Sequence, residues 1–89
     1  MKKILLVTSE GCEGCKIAKR IITEAIDTVH KEIELEIKDI KDLNKLFLKQ
    51  NNVRDVPTIF FINGDIITFK YVGTMPVTVI IRWISLYLK

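Results

Sequence analysis

The first third of the chain combines a continuous apolar run with an apolar stripe at helical spacing. Residues Lys3 to Thr8 form a short apolar run that Ser9-Glu10-Gly11 ends, which is typical of a buried strand. From Lys16 onward, apolar side chains recur at the spacing of one helix face: Ile17, Ala18, Ile21, Ile22, Ala25, Ile26 and Val29. The pattern therefore predicts a strand followed by an amphipathic helix.

The rest of the chain alternates between strand-like and helix-like patterns. The predicted elements are a half-buried strand over Glu32–Asp39, a short helix over Leu43–Gln50, strands over Pro57–Ile62 and Ile66–Val72, and a final helix over Val77–Leu88. Asn63-Gly64 is a favoured hairpin turn between the last two strands. Pro76 suits the first turn of the final helix.

This order of elements is β-α-β-α-β-β-α, and it predicts an α/β fold. The first β-α-β unit should be a right-handed parallel crossover. The hairpin then adds two antiparallel strands, which gives a four-stranded mixed sheet flanked by helices. A length of 89 residues suffices for one core, so we expect a single domain over residues 1–89.

The opening apolar run resembles a secretory leader, but it is too short to be one. It stops at Thr8 and Glu10 follows, whereas a leader needs an apolar region of about 7–15 residues. No apolar run approaches the length of a membrane-spanning helix. We therefore expect a cytoplasmic protein without a membrane partner.

The charge of the chain does not indicate a nucleic-acid partner. Its formal net charge is +3, but the Lys and Arg residues are interspersed with Glu and Asp. No basic stripe with interleaved aromatic residues is present. We expect the charge to serve solubility.

The two cysteines of the chain lie in the segment GCEGC, where the first strand leads into the first helix. Cys12 and Cys15 have the CxxC spacing, which suits a redox couple, half of a metal site or two inert thiols. Residues three apart in a helical turn bring their Cβ atoms to about 5–6 Å, so a small adjustment reaches disulfide geometry. The spacing alone leaves all three alternatives open.

In a redox couple, the position of each cysteine predicts its role. Cys12 would lie at the helix N-terminus, where free N–H groups and the helix dipole stabilise a thiolate, so it is the candidate nucleophile. Cys15, one turn further, is the candidate resolving thiol. Lys16 adds nearby positive charge that favours the thiolate, and Glu13 opposes it.

The segment VRDVPTIFFING places Val56-Pro57-Thr58 directly before an apolar strand and a hairpin. With the CxxC helix, it makes the whole chain similar to the thioredoxin and glutaredoxin superfamily. The resemblance implies a thioredoxin-like fold, a cis peptide bond at Pro57 and a redox-active disulfide between Cys12 and Cys15 with no other cofactor and no metal. It also implies that Val56 offers its backbone to an extended substrate and that Gly73 lines the same groove.

Several positions depart from the family pattern. Gly11 replaces the tryptophan that thioredoxins carry before the first cysteine, and Leu6 replaces their buried acid. Glutaredoxins carry a lysine shortly before the motif and a Gly-Asp pair before the last helix, whereas this chain has Glu10 and Gly73-Thr74. We therefore expect glutathione to be a poor reductant and a reductase of the thioredoxin-reductase type to be the donor.

The sequence thus predicts a protein disulfide reductase with disulfide-bearing proteins as substrates. Two alternatives stay open: a soft-metal carrier for copper or zinc that uses the CxxC, and a non-catalytic interaction module. Arg54 and Asp55 precede the proposed groove and are candidates for selecting substrates. Lys38 matches a lysine near the thioredoxin active site and is a candidate for tuning the cysteine pKa, with strand-end solvation as the alternative.

Two further features are less informative. His30, the only histidine, would lie about 27 Å along a helix from Cys12, so it is a solvated helix-end residue rather than a base. The final helix is apolar around most of its circumference, and only Thr78, Arg82, Ser85 and Lys89 form a polar stripe. We expect a monomer, with this helix as the candidate dimer contact.

Overall fold

The computed structural model describes residues 1–89 and contains the predicted order of elements. The observed bounds are β1 Lys2–Thr8, α1 Glu13–Val29, β2 Ile33–Asp39, α2 Lys45–Gln50, β3 Thr58–Asn63, β4 Ile66–Val72 and α3 Val77–Tyr87. A short 3₁₀ turn over Ile40–Asp42 precedes α2. The prediction of an α/β chain with the order β-α-β-α-β-β-α is confirmed.

The four strands form one mixed sheet in the order β2-β1-β3-β4. β1 pairs with β2 in parallel and with β3 antiparallel, and β3 pairs with β4 antiparallel. β1 and β3 are therefore central, and the chain enters α1 from the end of a central strand. Because β3 runs antiparallel to β1, the loop before β3 lies at the same end of the sheet as the C-terminal end of β1.

Alternate residues of the central strands face two separate cores. On one face, Ile4, Leu6 and Phe61 pack against α1 and α3 and are fully buried. On the other face, Val7 and Phe60 pack against the region of α2. The period of two along each strand explains why neighbouring residues of β1 belong to different cores. α1 and α3 thus cover one face of the sheet, and α2 covers the other.

The hairpin lies one residue later than predicted. Asn63 still pairs with Ile66 across the two strands, so Gly64 and Asp65 form the two-residue turn. Gly64 has a φ of +66°, whereas the φ of Asp65 is not positive. Positive φ at the first turn position alone is the pattern of a type II′ turn, which prefers glycine there.

The second helix begins later than the predicted start at Leu43. Asn44 is its N-cap, and its side chain accepts hydrogen bonds from the N–H groups of Leu46 and Phe47. Leu43 itself is extended and packs with the second core. The apolar spacing could not separate a core-facing loop residue from the first turn of the helix.

The final helix packs through aromatic side chains. The ring of Phe69 stacks on Tyr87 with centroids 4.3 Å apart, and Trp83 lies 4.9 Å from both Phe69 and Tyr71. These contacts leave the apolar residues of α3 buried or half-buried except Leu86, which is 53% exposed. The dimer contact through this helix stays a prediction.

Candidate active site

A tight turn after β1 places the first cysteine at the start of α1. The N–H of Cys12 donates to the carbonyl of Ser9 at 3.3 Å, which closes the turn after β1. Gly11 lies in this turn with a φ of +72°, a conformation that a residue with a side chain rarely adopts. The glycine that stands at the family's tryptophan position is therefore required by the backbone here.

Cys12 is the N-cap of α1 and bonds to Cys15 in a disulfide. Its Sγ accepts a hydrogen bond of 3.0 Å from the N–H of Cys15, and the two Cα atoms are 5.2 Å apart. Cys15 is 5% exposed, whereas Cys12 is half-buried and accessible. One sulfur therefore faces the surface beside free helix N–H groups, and the other faces the core.

The loop before β3 packs directly on the CxxC turn. The Val56–Pro57 peptide bond is cis, and Pro57 is buried. A Cβ atom on Gly14 would lie 3.4 Å from Cδ of Pro57, so the second intervening residue of the motif lies beside the proline ring. The N–H of Gly73 donates to the carbonyl of Pro57 at 2.9 Å. Cys12, Cys15, Pro57 and Gly73 thus form one site.

A buried threonine, which the sequence reading missed as a site residue, fixes the shape of this loop. Thr58 is fully buried, and its Oγ1 donates to the carbonyl of Asp55 at 2.6 Å. This hydrogen bond gives the buried hydroxyl the partner that it needs, and it closes the turn before the proline. The Val-Pro-Thr motif was the available signal, because Thr58 follows the cis-proline directly.

The backbone of Val56 has no hydrogen-bond partner inside the chain. Neither its N–H nor its carbonyl makes a hydrogen bond within the chain, and Val56 lies before the first residue of β3. Arg54 and Asp55 are exposed, and Arg54 borders a separate shallow cavity with Lys45 and Lys49 rather than the cysteines.

The charged neighbours of Cys12 interact weakly with each other. Lys16 and Glu13 form an ion pair of 3.4 Å, but their side chains are 74% and 80% exposed. Exposed pairs of this kind are screened by water and contribute about 0–1 kcal/mol. Both charges therefore remain close to the cysteine turn without being fixed there.

Two candidate residues lie away from the cysteines. Lys38 pairs with Val7 in the sheet register, so its side chain leaves β2 on the face of the second core. The residue beside Leu6 is Ile37, and both border the cleft next to the cysteines. The structure therefore corrects the placement of Lys38, because the alternation of the strand turns it to the far face. His30 ends α1 as its exposed C-cap.

The chain matches the family model of the thioredoxin domain over residues 2–85. It belongs to the thioredoxin family. The fold is therefore thioredoxin-like, and the CxxC pair supports a function of the thiol–disulfide oxidoreductase type. No curated protein matches the chain.

Solved thioredoxin structures share the fold at low sequence identity. Thioredoxin-2 of the malaria parasite, described as a component of its protein secretion machinery, superposes with a TM-score of 0.79 and 16% identity over 96% of this chain and 82% of its own. Thioredoxin 1 of Thermosipho africanus gives 0.74 and 22% identity over 97% and 93%. A thioredoxin variant of Halobacterium salinarum gives 0.81 and 15% identity over 99% and 75%.

The topology bears on the soft-metal alternative. A soft-metal carrier of the ferredoxin-like kind would have the order β-α-β-β-α-β, which ends in a strand, whereas this chain ends in α3. No group of three or more His, Cys, Asp or Glu side chains gathers in a geometry suited to a metal ion. Separately, none of the helices is long and apolar enough to cross a bilayer.

Two glycine substitutions at the site should change stability in opposite directions. Gly14→Ala should stabilise by about 0.5–1 kcal/mol, because alanine favours the helix and its Cβ makes an ordinary contact with Pro57. For a domain of this size that raises Tm by roughly 2–8 °C. Gly11→Ala is the matched control, and it should lower Tm because its φ is +72° although nothing lies within 4 Å. Thermal unfolding of both oxidised variants tests this, and a lower Tm for Gly14→Ala would show that the proline contact is too tight.

Proposed function

We propose that the chain is a protein disulfide reductase in which Cys12 is the nucleophile and Cys15 the resolving thiol. One observation carries the proposal: Cys12 is the accessible N-cap of a 17-residue helix and receives an N–H hydrogen bond, while Cys15 is 5% exposed. Unsatisfied N–H groups and the helix dipole favour an anion at this position. A thiolate is the reactive form of cysteine, so the first attack belongs to Cys12.

The reaction transfers two electrons in two exchange steps. The Cys12 thiolate attacks one sulfur of a substrate disulfide, forms a mixed disulfide and releases the other substrate sulfur as a thiolate. Cys15 then loses its proton to solvent and attacks Sγ of Cys12. This closes the Cys12–Cys15 disulfide and releases the second substrate thiolate. The substrate is reduced and the protein is oxidised by the same two electrons.

The loop before β3 supplies the docking site for an extended substrate segment. The N–H and carbonyl of Val56 have no internal partner, so they can pair with a substrate backbone as an added strand does. Gly73 lies across from this position, since its N–H is bonded to Pro57. Arg54 and Asp55 are exposed before the groove and are suited to contact residues of the substrate further from its disulfide.

The cysteine pair itself carries the electrons, so the proposal includes no metal and no other cofactor. The electron donor that we propose is a reductase of the thioredoxin-reductase type. Glutathione should be a poor donor, because Glu10 and Thr74 stand where glutaredoxins have a lysine and an aspartate.

The balance of charges near Cys12 predicts a reducing protein. Glu13 adjoins Cys12, so its negative charge destabilises the Cys12 thiolate and with it the reduced form, whereas a histidinium at this position would stabilise both. Each pKa unit of a thiol corresponds to about 1.36 kcal/mol, or close to 30 mV for a two-electron couple. We therefore expect a potential nearer the thioredoxin value of about −270 mV than the DsbA value of about −120 mV.

Redox equilibration against dithiothreitol and glutathione buffers tests this function. Glu13→His should raise the potential by about 10–30 mV, since the side chain is 80% exposed and its charge is screened. Glu24→His, on the exposed side of α1 in its fourth turn, is the matched control and should leave the potential unchanged. A wild-type value near that of DsbA would contradict the reducing assignment and favour an oxidase or isomerase.

A further inference from the structure

A cleft of about 330 Å³ opens beside the two cysteines. Leu6, Cys15 and Ile37 provide apolar wall, and Glu10, Lys16 and Lys19 bring charge to its rim. Ile37 is 41% exposed although it is apolar, so its side chain is open to contact from outside. The cleft therefore combines an apolar wall with a charged margin directly at the reacting sulfurs.

The cleft lies on the opposite side of Cys12 from the substrate groove. β1 has β2 as one neighbour and β3 as the other, and the cleft borders β2 whereas Pro57 precedes β3. A substrate strand paired to Val56 approaches from the β3 side. Cys12 itself lines the cleft, so the cleft is open to a side chain next to a substrate cysteine that is bonded to Cys12.

Lys19 is the lysine of the cleft margin that has no ion-pair partner. Lys16 makes an exposed pair with Glu13, and the only other ion pair in the protein joins Lys3 to Glu36. The Lys19 ammonium therefore has no acidic partner at salt-bridge distance, and Glu10 has no basic one. Lys19 lies one turn beyond Cys15 on α1, which places its charge at the inner end of the apolar wall.

We propose that this cleft is a specificity pocket for an acidic side chain, best a glutamate, adjacent to the reactive cysteine of the substrate. This rests on the proposed function, because the glutamate is placed in the cleft by the bond between the neighbouring substrate cysteine and Cys12. The two methylene groups of a glutamate pack on the exposed side chain of Ile37, and its carboxylate meets Lys19. Glu10, at the outer margin, selects against a second acidic residue nearer solvent.

The test uses short peptides that contain one cysteine flanked on either side by Glu, Gln or Lys, each oxidised to its symmetric disulfide dimer. In a Cys15→Ser background, the Cys12 thiolate attacks a peptide sulfur, the peptide disulfide breaks, and one peptide leaves as a thiolate. The rate constant of mixed-disulfide formation is measured for each peptide by rapid alkylation and mass spectrometry. We expect the Glu peptide to react about threefold faster than the Gln peptide, the size of a favourable surface ion pair.

Two charge reversals distinguish an effect of the cleft on the peptide rate constants from an effect of the protein's net charge. Lys19→Glu should invert the order so that the Lys peptide reacts fastest. Lys31→Glu makes the same change in total charge at the far end of α1, and it should retain the preference for Glu. The cleft assignment alone would be overturned if the two variants gave the same ratio of Glu-peptide to Lys-peptide rate constants. It would also be overturned if the wild type showed no preference for Glu on either side of the cysteine. Failure of every peptide to bond to Cys12 would overturn the proposed function and the cleft assignment together.

Discussion

Cys12→Ser should abolish the reduction of protein disulfides, whereas Cys15→Ser should stop the reaction halfway. The first variant lacks the accessible thiolate at the N-cap of α1, so no mixed disulfide forms. The second retains that thiolate but has no thiol to resolve the intermediate. Turnover falls to background in both variants, but only Cys15→Ser accumulates a covalent complex with its substrate.

Loss of activity in Cys12→Ser should not result from misfolding. Serine is among the preferred N-cap residues, so Cys12→Ser keeps a hydrogen-bond acceptor at the start of α1 and should fold normally. Denaturing electrophoresis without reductant detects the trapped complex, and circular dichroism checks the helices. If alkylation of the reduced wild type labelled Cys15 before Cys12 at neutral pH, the two roles would be reversed. Partner capture that is unaffected by loss of both cysteines would favour a non-catalytic interaction module.

Leu6→Asp should cost about 3–5 kcal/mol of folding free energy, the largest stability effect that we expect at the site. Leu6 is fully buried in the core between the sheet and α1. The substitution removes buried apolar volume and places a carboxyl group at a position that is fully buried. Thioredoxins carry an acid at the corresponding position, so the variant asks whether this core can accept one.

The destabilisation of Leu6→Asp should depend on pH. Burial disfavours the charged form, so the carboxyl pKa in the folded state should lie above the unfolded value of about 3.9. The folded state then binds the proton more tightly, and stability falls as pH rises from about 4 through the raised folded pKa. Leu6→Asn has the same shape without a charge, so its cost should not change over that range. Urea titrations at several pH values test this, and equal pH profiles for the two variants would show that water reaches the side chain.

The elements were predictable because each carries a hydrophobic period of its own. The alternation in β2 and the stripe on α1 predict their types without knowledge of their neighbours. The start of α2 was not predictable in the same way, since Leu43 belongs to the core but not to the helix. The side chain of Asn44 determines where the helix begins, and that depends on one hydrogen bond rather than on a period.

The site was predictable in its residues but not in its contacts. The CxxC and Val-Pro-Thr motifs identify Cys12 and Pro57, which are 45 positions apart, only through family resemblance. That Gly14 lies beside the ring of Pro57 follows from the packing of α1 on the sheet, which no local pattern encodes. The face taken by Lys38 depends on the strand register, where a shift of one residue reverses every side chain.

The aromatic packing of α3 has a consequence for optical measurements. Trp83, the only tryptophan, has Phe61, Phe69 and Tyr71 as ring neighbours, and none of these borders the cysteine cleft. Its fluorescence should therefore follow the unfolding of the hairpin and final helix rather than the oxidation state of the sulfurs. A change in emission on adding reductant would mean that opening the disulfide loosens the far side of the domain.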